Sequence, residues 1–154
     1  MPSKNHPGLP RFISAVLTDE SRKKLELGLD ELKFSNRTLK PEQYMHHVTI
    51  AYNPDLSTYE KVIKTVTDGD RIIVKCKRRC WSESFGVEAV TVELKTLNGK
   101  DVFINNEYPH ITISTEGLPP VKSNDLFKNQ YELSDFQFED VSFLTLESYV
   151  EFKD

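Results

Sequence analysis

The sequence predicts an α+β domain made of two related halves, and three observations carry that expectation. The 154 residues suit one domain (1–154), and 38 % hydrophobic with 29 % charged content is that of an ordinary globular protein. The elements run strand, helix, strand, helix, strands, and then strands, strand, short helix, strands. Each half carries one copy of a short pattern: HVTI (His47 to Ile50) within YMHHVTIAY, and HITI (His110 to Ile113) within YPHITIST. Related halves packed about a pseudo-twofold axis would bring the two copies side by side in a shared groove.

Residues 1–9 lack an apolar signal core and read as a flexible lead-in that includes His6. A first strand is expected over 11–17. Thr18 or Asp19 then caps a helix over 20–33 with Leu25, Leu29 and Leu32 on its apolar stripe. A loop over 36–41 leads to the first HxT strand, 44–52, which Asn53-Pro54 stops. Ser57 is expected to open a second helix to about Thr67, burying Tyr59, Val62, Ile63 and Val66. Strands follow over 71–79 and 85–95, and Asn98-Gly99 signals a hairpin to a strand at Val102–Ile104. The second HxT strand spans 108–115. Ser123 suits the cap of a short helix through Leu126 and Lys128, and residues 135–152 supply two last strands.

No apolar run is long enough to span a bilayer, so a cytoplasmic location is expected, or the host cytoplasm for a viral protein. Cys76 and Cys80, the only cysteines, sit roughly 13 Å apart if they share one strand, too far for a disulfide. They read as packing residues. No four-ligand zinc pattern is present. Net charge is −4, so a nucleotide ligand must be met by local charge. The densest basic run is Lys75 to Arg79, which reads equally as a charged, solvated edge strand or as a phosphate-contacting rim.

The two HxT strands carry the chemistry. Side chains alternate along a strand, so His47 and Thr49 share one face, as do His110 and Thr112, while Val48, Ile50, Ile111 and Ile113 point to the core. Imidazole exchanges protons near neutral pH. A pair across one groove divides the work at phosphorus, one taking a proton from the attacking oxygen and the other protonating the departing ribose oxygen. Thr49 and Thr112 would donate to the non-bridging phosphate oxygens, where charge builds up. Such chemistry requires neither metal nor cofactor.

A lone HxT tripeptide is more often structural than catalytic, but a pair in matching apolar frames is harder to obtain by chance. His46 reads as pointing to the opposite face and packing against a helix. Ser114 shares the face of Thr112 and would extend the phosphate site. Of the aromatics that could stack a base, Trp81 and Tyr108 are singled out as substrate-binding candidates near strand ends, ahead of Tyr44, Tyr52 and Phe85.

Two HxT motifs flanked by hydrophobic residues, HVTI and HITI, resemble the 2H phosphoesterases. The stretch YPHITISTEGLPPVKSNDLF, with Pro120-Val121-Lys122-Ser123-Asn124 after the second motif, is similar to the cyclic phosphodiesterase domain of fungal-type tRNA ligases. The resemblance implies a bilobal fold with two antiparallel sheets around a central cleft and helices outside. It also implies metal-independent hydrolysis of a ribose-adjacent phosphodiester: an RNA 2',3'-cyclic phosphate end, or a small cyclic or 2',5'-linked nucleotide. Carried over, His47 and His110 are the acid and base, and Thr49 and Thr112 the phosphate ligands. The 154 residues hold no P-loop and no ligase segment. The resemblance therefore also fits viral or phage enzymes that degrade cyclic dinucleotide or 2',5'-oligoadenylate messengers of host immunity. A non-catalytic nucleotide or RNA binding module is the alternative from a different class.

Overall fold

The computed structural model describes residues 8–30 and 42–154. Among the described residues, eight strands and three helices follow in the order β1 (Phe12–Leu17), α1 (Asp19–Asp30), β2 (Glu42–Gln43), β3 (His47–Tyr52), α2 (Leu56–Ile63), β4 (Arg71–Ser82), β5 (Val87–Thr96), β6 (His110–Thr115), α3 (Lys122–Lys128), β7 (Gln137–Asp140) and β8 (Thr145–Lys153). The lead-in up to residue 7, with His6, and Leu32 of the first helical stripe lie outside the described residues.

The α+β class holds, but the strands form one sheet instead of two. In the order β6-β3-β1-β8-β4-β5 each neighbour pairs antiparallel, and β5 pairs back onto β6, so six strands close into a barrel-like ring. Closure removes exposed edges from those strands. The two short strands attach outside the ring, β2 on β6 and β7 on β4. The halves of the chain interleave around the ring, which is why two sheets do not separate.

Apolar alternation explains the core. Ile13 and Ala15 of β1, Val48 and Ile50 of β3, Ile111 and Ile113 of β6, and Leu146 and Val150 of β8 belong to one buried cluster that also takes Leu25 and Leu29 of α1. A smaller cluster joins Cys80, Val87 and Ala89 to Leu126 and Phe127 of α3. Burying a side chain of this size contributes roughly 1.5–3 kcal/mol.

Several boundaries move for local reasons. Thr18 caps α1, its hydroxyl accepting from Ser21 N–H at 3.1 Å. The cap of α2 is Asp55, not Ser57, because its carboxylate reaches Thr58 N–H at 2.8 Å. α2 ends at Ile63 instead of running to Thr67, and Ile63 is 39 % exposed. The Asn98-Gly99 turn forms, with Gly99 at φ 85°, but Val102–Ile104 is no strand. After one bridge between Lys95 and Asp101 and a bond from Val102 N–H to the Leu94 carbonyl at 3.3 Å, Phe103 N–H goes to Thr65 Oγ1 and Asn105 N–H to the Ile50 carbonyl. Ser123 lies inside α3 instead of capping it; Val121 holds the cap position without a side-chain bond.

β4 is longer than the basic run predicts and is no edge strand, since β5 flanks it on one side and β8 and β7 on the other. Arg79 is 1 % exposed and pairs with Glu88 and Glu139, themselves buried. Lys77 pairs with Glu93 at 3.2 Å, and the Arg78 guanidinium lies 4.7 Å from the Phe138 ring centre.

Candidate active site

The HVT and HIT tripeptides lie on neighbouring antiparallel strands, with Val48 opposite Ile111. Extending that register by one residue each way sets His47 across from Thr112 and Thr49 across from His110, so the imidazoles stand diagonally with a threonine beside each. Val48 and Ile111 point into the core at 0 % exposure, which turns the four polar side chains to the other face. All four line one cleft of about 740 Å³.

Each imidazole is held by its surroundings. His110 Nδ1 lies 2.7 Å from the Tyr108 carbonyl, which can only accept, so Nδ1 carries a proton and Nε2 is left to face a reactant. The Phe127 ring packs 5.6 Å from this imidazole, and Tyr108 stacks on Phe127 at 5.7 Å. On the other side, Phe12 meets His47 edge-on at 5.6 Å and Tyr52 at 6.3 Å.

Burial holds both imidazoles below the usual histidine range. For His110 the opposing influence is the Tyr108 carbonyl, which favours its charged form. For His47, burial comes first, then the charges of His46 and His110, with Glu151 pulling the other way. Thr112 Oγ1 lies 2.9 Å from Ser123 Oγ and 3.3 Å from the Pro120 carbonyl.

The structure does not bring every candidate here. Tyr108, Tyr44 and Tyr52 line the cleft, whereas Trp81, Phe85 and Ser114 do not. Trp81 is covered by the Arg79 guanidinium, 4.2 Å from its ring centre, and Ser114 is fully buried and donates to Glu88 at 3.0 Å. The buried Arg79 does not serve as a rim. His46 departs from expectation in the other direction: it is exposed and lines the cleft. Met45 adopts φ 63°, so the alternation that assigned His46 to the opposite face breaks one residue before it.

None of the remaining lining was named as a substrate-binding candidate. It comprises Phe12, the Asn105-Asn106-Glu107 lip, Pro119 to Val121, and Asn124 with Lys128 of α3. Of these, Pro120, Val121 and Asn124 fall in the element that carries the family resemblance, and Asn124 and Lys128 have a spacing of four that puts both on one helical face. Among the described residues no three His, Cys, Asp or Glu side chains gather to hold a metal ion, and no helix is long and apolar enough to cross a membrane.

A free imidazole Nε2, a second imidazole diagonal to it and flanking hydroxyls make a set able to move a proton at each end of an in-line displacement. A search of curated proteins finds no match to the chain. Among solved structures, a crystal structure of a fungal RNA kinase superposes with a TM-score of 0.64 at 16 % identity, over 97 % of this chain and 46 % of that one. At that identity the likeness is one of fold, and the chain spans about half the length of that structure. The family model described as the fungal tRNA ligase phosphodiesterase domain matches residues 30–153 and so takes in both HxT strands and α3. The chain belongs to the family of the fungal tRNA ligase phosphodiesterase domain.

Proposed function

We propose that this cleft hydrolyses the 2',3'-cyclic phosphate at an RNA end without a metal ion, using His47 and His110 as base and acid. The observation that carries the reading is that two imidazoles and two threonines from neighbouring strands line one cleft. Family membership supports an RNA-end phosphodiester as the substrate class.

The division of labour follows from what surrounds each ring. The Tyr108 carbonyl stabilises a charged His110, whereas His47 meets repulsion from His46 and His110. We assign the proton of the singly protonated pair to His110, whose Nδ1–H is already held by the Tyr108 carbonyl at 2.7 Å. His47 takes a proton from water as the water oxygen bonds to phosphorus. The bond from phosphorus to one ribose oxygen breaks, and His110 Nε2 protonates that oxygen, leaving a phosphomonoester and a free hydroxyl. Thr49 and Thr112 donate to the non-bridging oxygens as their charge grows.

Incubation of the protein with 2',3'-cyclic AMP, an RNA oligonucleotide ending in a cyclic phosphate, 2',5'-oligoadenylate and cyclic dinucleotides, all with EDTA present, tests the reading. Turnover of the cyclic phosphate ends is expected. Turnover confined to the oligoadenylate or cyclic dinucleotides would move the substrate to the messenger class, and binding without product would leave a nucleotide-binding module.

A further inference from the structure

Helix α3, packed against β5, also reaches β6 through two buried side chains four residues apart. Ser123 meets Thr112, Oγ to Oγ1, at 2.9 Å, and Phe127 meets the His110 ring at 5.6 Å. Four residues advance a helix by roughly 6 Å and two advance a strand by roughly 6.8 Å, so one helical face meets alternate residues of the strand without distortion. Ser123 and Phe127 are 0 % and 2 % exposed, so neither is placed to touch a substrate itself.

The hydroxyl protons around Thr112 can be followed one by one. The 3.3 Å separation from the Pro120 carbonyl is long for a hydroxyl donor. That carbonyl also accepts Ser123 N–H at 3.1 Å, so it keeps a partner when the Thr112 proton turns elsewhere. Resting on the function proposed above, we propose that Ser123 is a positioning residue whose hydroxyl donates to Thr112 Oγ1. This occupies a lone pair of Thr112 and aims its proton at a non-bridging phosphate oxygen. Without the Ser123 hydroxyl, the Thr112 proton turns back to the Pro120 carbonyl. The loss is felt where charge develops on phosphate oxygens, hence in kcat more than in KM.

A double-mutant cycle of Ser123→Ala and Thr112→Val, read on hydrolysis of 2',3'-cyclic AMP with thermal midpoints measured alongside, tests this. Each single change is expected to lower kcat roughly tenfold. The double variant is expected to fall no more than about twofold below Thr112→Val, because both changes remove the same interaction. The pH limbs should not move, since the imidazoles are untouched. Independent losses that multiply in the double variant, a shifted pH profile, or unchanged kcat in Ser123→Ala would each overturn the inference while leaving the proposed function standing. Should the wild-type protein turn over neither 2',3'-cyclic AMP nor an RNA oligonucleotide ending in a cyclic phosphate, the function itself falls. The same cycle is then read on Kd for adenosine 2'-phosphate, where coupled losses uphold the pairing, and multiplying losses or no binding overturn it.

Discussion

Replacing Arg79 by Met sets two accounts of the basic run against each other. As a phosphate-contacting rim, Arg79 would be exposed and its loss would weaken nucleotide binding with little effect on folding. The structure instead buries it at 1 % exposure between Glu88 and Glu139, whose side chains are 3 % and 7 % exposed. Glu88 also takes the Ser114 hydroxyl of β6 at 3.0 Å, so the cluster ties β4, β5, β7 and the strand of the second HxT motif together. Removing the guanidinium leaves two buried carboxylates facing each other without their counter-charge. Breaking a buried pair of this kind costs about 3–5 kcal/mol, which for a chain of this length is a drop in thermal midpoint of roughly 6 to 20 °C. Urea unfolding followed by circular dichroism measures it. Lys75→Ala, on the exposed side of the same strand, is the control and should stay within about 0.5 kcal/mol. Changing Glu88 and Glu139 to Gln in the Arg79→Met protein should recover part of the loss. A change below about 1 kcal/mol in Arg79→Met would refute the reasoning.

The other predictions concern protons, thiols and Trp81. Catalysis needs one charged and one neutral imidazole, and both are held below the ordinary value of about 6.5, so kcat/KM against pH should be a bell with its maximum on the acid side of 6.5. A profile still rising above pH 7.5 would contradict it. The same shifts govern stability: His46, His47 and His110 bind protons more readily unfolded than folded, so their stabilisation is full above about 6.5 and is lost as pH falls below it. Asp101, Asp135 and Asp140 are held low and lose theirs only in the carboxylate range, so the urea midpoint should rise between pH 5 and 7, and His110→Gln should flatten that rise. Burial pushes the Cys76 and Cys80 thiols up to about 12, and a maleimide should label neither until urea unfolds the chain. Trp81→Phe should leave turnover of a cyclic phosphate end unchanged, because Trp81 lies under Arg79 outside the cleft; a loss of tenfold or more would place it with the substrate.

Period-two alternation made the HxT faces legible, because Val48, Ile50, Ile111 and Ile113 dictate which way the strands present their other residues. The same rule failed at His46, where a single left-handed residue, Met45, breaks the alternation that assigns its face. Strand pairing was harder. Nothing local distinguishes a β5 that folds onto Val102–Ile104 from one that pairs with β4 and β6, since the choice is made by residues far along the chain. Ring closure was invisible for that reason. Charge misled in the run from Lys75 to Arg79: alternate residues face water, but Arg79 follows a register shift between Cys76 and Arg78 and turns inward onto acids 9 and 60 positions away. Ser123 has the composition of a cap, yet its hydroxyl is claimed by Thr112 from another element.

The most direct measurement takes His47→Ala and His110→Ala separately, each verified as folded by circular dichroism, against 2',3'-cyclic AMP with EDTA present. If two rings share the work at one phosphorus atom, each substitution lowers kcat by about 10² to 10⁴, and the double variant is little worse than the poorer single. Either single variant retaining more than a tenth of wild-type turnover would contradict the account.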